Sequence, residues 1–431
     1  MSDIGFRRRN NQDSYSIQTC SDRETWQRSG HVFLVADGMG GHAVGELASK
    51  IAADTIPHTF RKTRNTSTED ALRMAIEEAN ASIYRRGQLN PDFLRMGTTC
   101  TTLVLGPRGV LIGHVGDSRC YRARNNRLDQ LSFDHSLQWE LLKQGRMKPE
   151  DIFLHEPRHV ITRSLGPEEK VQVDVEGPLP VLPGDTYLLC SDGLTGHLND
   201  EEIGTIIGNL APSEACRLLV NLANLRGGSD NITVVIVRAG RLPKGAEPAL
   251  PPVEEEPPGD RLRAWAWLAA NWFVAMLLVA GICGIVLGKL WPGLSLLSLG
   301  IVLTGAMIIY WLRHRPAPDE PDDADRTVHF RPYRSAPARL NQNLLEHLAS
   351  VDSELHRTAT EEGWDIDHTA HDAAWQKARA ALQEQDHKTA LEELAHGIDL
   401  LMTGVHQHRK QVSHNSRWGR RPSPDAEQSR N

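Results

Sequence analysis

The sequence predicts an α+β layered domain over residues 1–240, followed by a two-helix transmembrane hairpin and a small helical C-terminal region. Three observations lead there. Short β-rich runs bounded by Gly, Pro or Asp crowd both ends of the first 240 residues, with helical spacing between them. Two uncharged stretches of spanning length come next. Beyond them, apolar residues return at helical spacing. The 431 residues are 40% hydrophobic, with a net charge of −7 and a mean hydropathy of −0.40. These values exclude a disordered or collagen-like chain. The excess of acids over bases argues against a dedicated nucleic-acid binder. Six scattered cysteines with no CxxC pair fit neither a disulfide framework nor a zinc ribbon.

Taken in order, strands are expected at His31–Ala36, Thr99–Leu105, Val110–Val115, Thr186–Cys190 and Ile232–Arg238. Ser67–Arg86 carries Leu72, Ile76, Ala79 and Ile83 on one helical face, and Pro212–Leu225 is a second helix. Residues 241–260 hold six prolines and the acids Glu254–Glu256, a composition that makes an extended linker.

Residues 264–288 carry no charge and would reach about 37 Å as a helix, against a bilayer core of about 30 Å. Residues 290–312 form a second uncharged stretch. Trp265, Trp267, Trp291, Tyr310 and Trp311 sit at the ends, where amphipathic rings favour the interface. Lys289 and a Trp-Pro-Gly turn make the pair a tight hairpin. Arg261, Arg263, Arg313, His314 and Arg315 flank it and put both outer ends on the cytoplasmic side. The expectation is a multi-pass protein of the cytoplasmic (inner) membrane, held to lipid by the hairpin, with both termini cytoplasmic. A buried helical hairpin in a soluble domain is the competing reading. Gly284 and Gly288 have GxxxG spacing, a hint of helix dimerisation. Residues 316–337 form an acidic, Pro-containing linker. Residues 338–411 read as a helical region with an unknown partner, and 412–431 as a disordered tail.

Five aspartates stand out, each beside glycine or a small polar residue: Asp13, Asp37, Asp117, Asp192 and Asp230. Most adjoin β-rich runs, which places carboxylates on loops held by a rigid sheet. Alone, each reads as a turn residue. Together, with no competing Cys or His cluster, they point to hard, oxygen-seeking cations such as Mg²⁺ or Mn²⁺. Two cations held by shared carboxylates are a standard device for phosphoester hydrolysis.

The aspartates lie in eight blocks whose order resembles the 2C-type, metal-dependent protein serine/threonine phosphatases in their bacterial form. The blocks run from Gly5-x-x-Arg8-x-x-Asn11-Gln12-Asp13 and Asp37–His42 through Met96–Thr99, His114–Arg119 and Asp134–Ser136. They end with Ile161–Gly166, Ser191–Leu194 and Gly228–Thr233. The resemblance covers residues 1 to about 238 and implies a four-layer α-β-β-α sandwich of two antiparallel sheets. It implies that Asp37 and the Gly38 carbonyl serve a pair of Mn²⁺ or Mg²⁺ ions, that Asp192 and Asp230 complete one shell, and that Asp117 with Asp192 binds a looser third ion. Asp13 would orient the metal-activated water, and Arg8 would clamp the substrate phosphate. Residues 134–163 would form a flap. The implied substrates are phosphoserine and phosphothreonine proteins, opposed by a serine/threonine kinase. Met39 stands where eukaryotic members have a histidine, and His42 is a shifted candidate for the general acid. Gln12 replaces a glutamate common in relatives. Only four residues precede Gly5, where the family has a strand; whether that strand is present is left open by the sequence, and its loss would expose a sheet edge.

Overall fold

Strand alternation and helical stripes account for the layers of the computed structural model, which describes residues 1–40, 44–144, 160–240, 258–313 and 332–418. His42, the middle of the expected flap, most of both linkers and the end of the tail lie outside the described residues. In chain order come β1 (Ser2–Asp3), β2 (Asp13–Gln18), α1 (Arg23–Ser29), β3 (His31–Met39), α2 (Val44–Lys62) and α3 (Thr68–Gln88). Next are β4 (Gly97–Thr98), β5 (Cys100–Gly106), β6 (Gly109–Val115), β7 (Arg119–Arg124), β8 (Arg127–Gln130) and α4 (Leu137–Lys143). Then follow β9 (Asp174–Leu179), β10 (Thr186–Cys190), α5 (Asp192–Thr195), α6 (Asp200–Asn209), α7 (Pro212–Leu225) and β11 (Ile232–Arg238). The last are α8 (Pro258–Val286), α9 (Leu290–Arg313), β12 (Arg334–Pro337), α10 (Gln342–Glu362), α11 (His368–Gln383) and α12 (His387–Trp418).

Two antiparallel sheets stack face to face. One has the order β1-β11-β10-β7-β8-β12; the other has β2-β3-β5-β6-β9, with β4 on β3. Phe33, Val35, Leu103, Ile112, Leu189 and Val235 fill the space between them. Helices α2 and α3 cover the second sheet. α3 starts at the Ser67 cap and buries the predicted stripe of Leu72, Ile76, Ala79 and Ile83. α6 and α7 cover the first sheet. The expected α-β-β-α sandwich is present. Ser2–Asp3 pairs with Ile232–Thr233 of β11, so that edge carries a short first strand after all.

The C-terminal helices do not stand apart from this sandwich. Residues 1–249 and 330–431 make one compact unit. β12 pairs with β8 and extends the sheet. In α7, Leu218, Leu219, Val220, Leu222 and Ala223 are all buried, more than one face can bury against a sheet alone. Leu345 and Leu348 of α10, and Leu391, Leu394, Ile398 and Met402 of α12, join the same core. α12 runs to Trp418, beyond the expected boundary at 411.

Residues 250–329 form the second unit, in which α8 and α9 pair as a helical hairpin. The expected transmembrane hairpin, with spans at 264–288 and 290–312, is overturned. Among the described residues no helix is long and apolar enough to cross a membrane. Trp291, Pro292, Gly293, Ser295 and Ser298 dilute the second stretch. Gly284 serves the helix pair itself: a Cβ there would lie 3.1 Å from Gly293 Cα. Gly288 lies in the connecting turn at φ +80°, outside any helix–helix seam.

Candidate metal centre and phosphate site

Antiparallel register sets Asp13 of β2 directly opposite Asp37 of β3. The Asp37 backbone is fixed from both sides. Its N–H donates to Thr99 Oγ1 at 2.9 Å, and its carbonyl accepts from Thr98 Oγ1 at 2.9 Å. Gly38 lets α2 approach, because a Cβ there would collide with the Gln12 and Gly45 carbonyls. Asp117 lies in the β6–β7 loop after Gly116, whose φ of +115° suits glycine. His135 pins that loop. Its Nδ1 accepts from the Gly116 N–H at 3.0 Å, and its own N–H donates to the Gly116 carbonyl at 2.7 Å. Asp192 opens α5 after Ser191, which follows β10, and Asp230 lies two residues before β11. Ser191 Oγ donates to Asp13 Oδ2 at 2.8 Å. Arg8 Nη2 donates to Asp230 Oδ2 at 2.6 Å.

The structure thus brings together Asp13, Asp37, Gly38, Asp117, Asp192, Asp230 and Arg8 at one end of the sandwich. Its electrostatics need a cation. Burial, and then the charges of Asp13, Asp192, Asp117 and Asp230, push the Asp37 carboxyl well above its ordinary range. Burial raises Asp13 to about 7 against hydrogen bonds from Thr233 and Ser191. Burial, and then Asp192 and Asp134, raise Asp117 to about 8. Asp230 is raised by burial and by Asp192. Asp13 Oδ1 and Asp117 Oδ1 are buried without a hydrogen-bond donor. Crowded all-oxygen donors with unsatisfied lone pairs fit hard divalent cations of the Mg²⁺ or Mn²⁺ type.

Several supporting residues lie in the matching blocks, but their roles are not readable from the chain. Asn231 is one. Its Nδ2 donates to the Ile4 and Asn10 carbonyls, and its Oδ1 accepts from the Gln12 N–H at 2.8 Å. It therefore ties the Arg8 loop to the Asp230 loop; its place beside Asp230 is the only sequence signal. Gln12 turns its Nε2 to the Gly40 carbonyl. Asp174 is another. His135 Nδ1 is an acceptor, so Nε2 carries the proton and donates to Asp174 Oδ2 at 3.0 Å, while Arg163 Nη1 donates to Oδ1 at 2.8 Å. Asp174 joins both ends of the 134–163 segment to the loop that carries Asp117.

Burial acts to raise the Asp174 carboxyl, but the His135 hydrogen bond and the Arg163 charge outweigh it and hold it at about 2. A folded pKa below the unfolded value of about 3.9 gives stability that is present above that value and lost as pH falls toward 2. Asp174→Asn is expected to cost about 1–2 kcal/mol at pH 7. In urea unfolding the gap between variant and parent should close near pH 2–3. A gap independent of pH would mean that the carboxylate charge plays no part.

The other end of the chain also reaches the phosphate loop. Arg409 of α12 donates Nη2 to the Phe6 carbonyl at 2.7 Å and lies 4.0 Å over the Phe6 ring. Phe6 is two residues before Arg8. A carbonyl hydrogen bond and a cation–π contact are each worth about 1 kcal/mol. Arg409→Ala is expected to raise KM for a phosphopeptide about three- to tenfold, with kcat within about twofold. Steady-state kinetics would check this; a fall in kcat at constant KM would contradict it.

A profile of the protein phosphatase 2C family matches residues 8–216. The serine/threonine phosphatase Stp of Listeria welshimeri is 36% identical over 250 residues, 57% of this chain and 96% of that protein. The protein phosphatase PhpP of Streptococcus pneumoniae is 34% identical over 242 residues, 55% of this chain and 95% of that one. Among solved structures, the Mycobacterium tuberculosis serine/threonine phosphatase PstP/Ppp matches with a TM-score of 0.50 at 32% identity, over 56% of this chain and 97% of that one.

Proposed function

The chain belongs to the protein phosphatase 2C family and is a metal-dependent serine/threonine phosphatase; from that premise we propose how its own residues carry the reaction. Its substrates are phosphoserine and phosphothreonine in proteins. Asp37, the Gly38 carbonyl, Asp192 and Asp230 would hold a binuclear Mn²⁺ or Mg²⁺ centre, and Asp117 with Asp192 would offer a third position. Bound cations lower the pKa of water and neutralise charge on phosphoryl oxygens. The convergence of five aspartates with buried, donorless oxygens at Asp13 and Asp117 is the observation that carries this reading.

Arg8 supplies a guanidinium fork suited to two phosphate oxygens, and its bond to Asp230 holds it beside the acids. Asp13, steadied by Ser191, would orient the attacking water. A serine/threonine kinase supplies the phosphorylated substrate and is the natural opponent. Full-length protein with Mn²⁺ should release phosphate from a phosphothreonine peptide, and EDTA should abolish release. EDTA-resistant hydrolysis, or none by folded, Mn²⁺-supplied protein, would overturn the proposal.

A further inference from the structure

We propose that α10 and α11 carry a second divalent-metal site of the zinc class, with His356, His371 and Asp372 as its ligands. The site is separate from the aspartate centre and different in kind. One ligand atom from each of the three residues lies within 4.8 Å of the other two. Two imidazoles and one carboxylate suit Zn²⁺ or a similar transition ion, whereas the all-oxygen centre suits Mg²⁺ or Mn²⁺.

His371 supplies the second, independent observation. It is only 1% exposed, and its Nδ1 is buried with no hydrogen-bond partner. Its other nitrogen, Nε2, faces both oxygens of buried Asp352 at 3.0 and 3.2 Å. That contact places the proton on Nε2 and turns the Nδ1 lone pair away from Asp352. A histidine whose far N–H is held by a carboxylate has the usual arrangement of a metal ligand. The His356 ring lies 4.4 Å from that of His371, centroid to centroid. Asp372 Oδ1 is 3.9 Å from Nδ1, too far for a hydrogen bond. Metal bonds of about 2.0–2.2 Å would draw these atoms closer. Asp372, with a side chain 61% exposed, has the freedom to make that move. Gly397 of α12 leaves room behind the pair, since a Cβ there would lie 2.8 Å from Asp352 Oδ1. A metal here would tie α10 to α11.

The competing reading is a doubly protonated His371 held between Asp352 and Asp372, with no metal. Full-length protein stripped with EDTA and resupplied with saturating Mg²⁺ should bind one further equivalent of Zn²⁺ and melt several degrees higher. His356→Ala, at a half-buried position, and Asp372→Ala, at an exposed one, should lose that equivalent and that shift. Asp352→Asn should weaken Zn²⁺ binding about 10–100-fold. Asp192→Asn should leave the equivalent intact, which separates this site from the catalytic one. Co²⁺ in place of Zn²⁺ should give a visible d–d band that disappears in His356→Ala. Zn²⁺ binding unaffected by His356→Ala and Asp372→Ala, or no Zn²⁺ bound beyond the Mg²⁺-filled centre, would overturn the proposal.

Discussion

Asp37→Asn is expected to lower kcat for a phosphothreonine peptide about 10²–10³-fold while raising the melting temperature of the metal-free protein. The two effects share one cause. Burial acts first on Asp37, and four neighbouring carboxylates add their repulsion, so its charge is costly whenever no cation is present. Asparagine keeps the shape and removes the charge, which relieves the metal-free fold. It also removes an anionic ligand that the proposed cations would need. A loss of about 3–4 kcal/mol of transition-state stabilisation corresponds to that fall in rate. Mn²⁺ should raise the melting temperature of the parent through preferential binding to the folded state and have little effect on the variant. A variant that melts lower without metal, or is still strongly stabilised by Mn²⁺, would make Asp37 a structural residue instead. The expected combination is a stability gain bought with function, as happens where an active site stores repulsion.

The aspartates are legible in the sequence because each occupies a short, local motif at a strand end, and the sheets then bring them together. Asp13 opposite Asp37 is a matter of register between neighbouring strands. Other parts of the site depend on distant pairings that no local pattern announces. Asp174 meets His135 across 39 positions, and Arg409 meets Phe6 across 403. The hairpin misleads for a different reason. Counting uncharged residues overstates a span when Gly, Ser, Pro and Trp make up much of the second run. Gly281 and Gly293 serve close helix pairing, with a Cβ at Gly281 falling 2.8 Å from Leu297 N. The C-terminal helices are visible as helices, but an apolar stripe does not name its partner. The available signal lies in α7, where the run Leu218–Leu219–Val220 is followed by Leu222 and Ala223, too wide an apolar surface for one sheet face.

Ile398→Ala, in the C-terminal helix α12, is expected to destabilise the phosphatase itself by about 2–5 kcal/mol. Ile398 is fully buried in a core it shares with Leu218 and Leu222 of α7 and with Ile206 of α6. Around it, Asp399 accepts from Asn221 Nδ2 at 3.2 Å and pairs with Arg217 at 3.0 Å, so apolar and polar contacts both hold α12 to α7. At the other end of the segment, Ser335 donates to Asp129 Oδ1 at 2.8 Å, and the Tyr333 hydroxyl donates to Glu176 at 2.7 Å. These groups join the C-terminal helices to both sheets, which argues for one cooperative unit. Heating the parent should therefore abolish helical signal and Mn²⁺-dependent activity at the same midpoint. Ile398→Ala should shift both downward together by several degrees. Removing residues 330–431 should be more severe, exposing the outer face of α7 and the β8 edge and leaving a protein prone to association. If α12 melts first while activity persists, or if the shortened protein keeps the parent's midpoint, the C-terminal helices are an independent domain and the shared core carries no coupling.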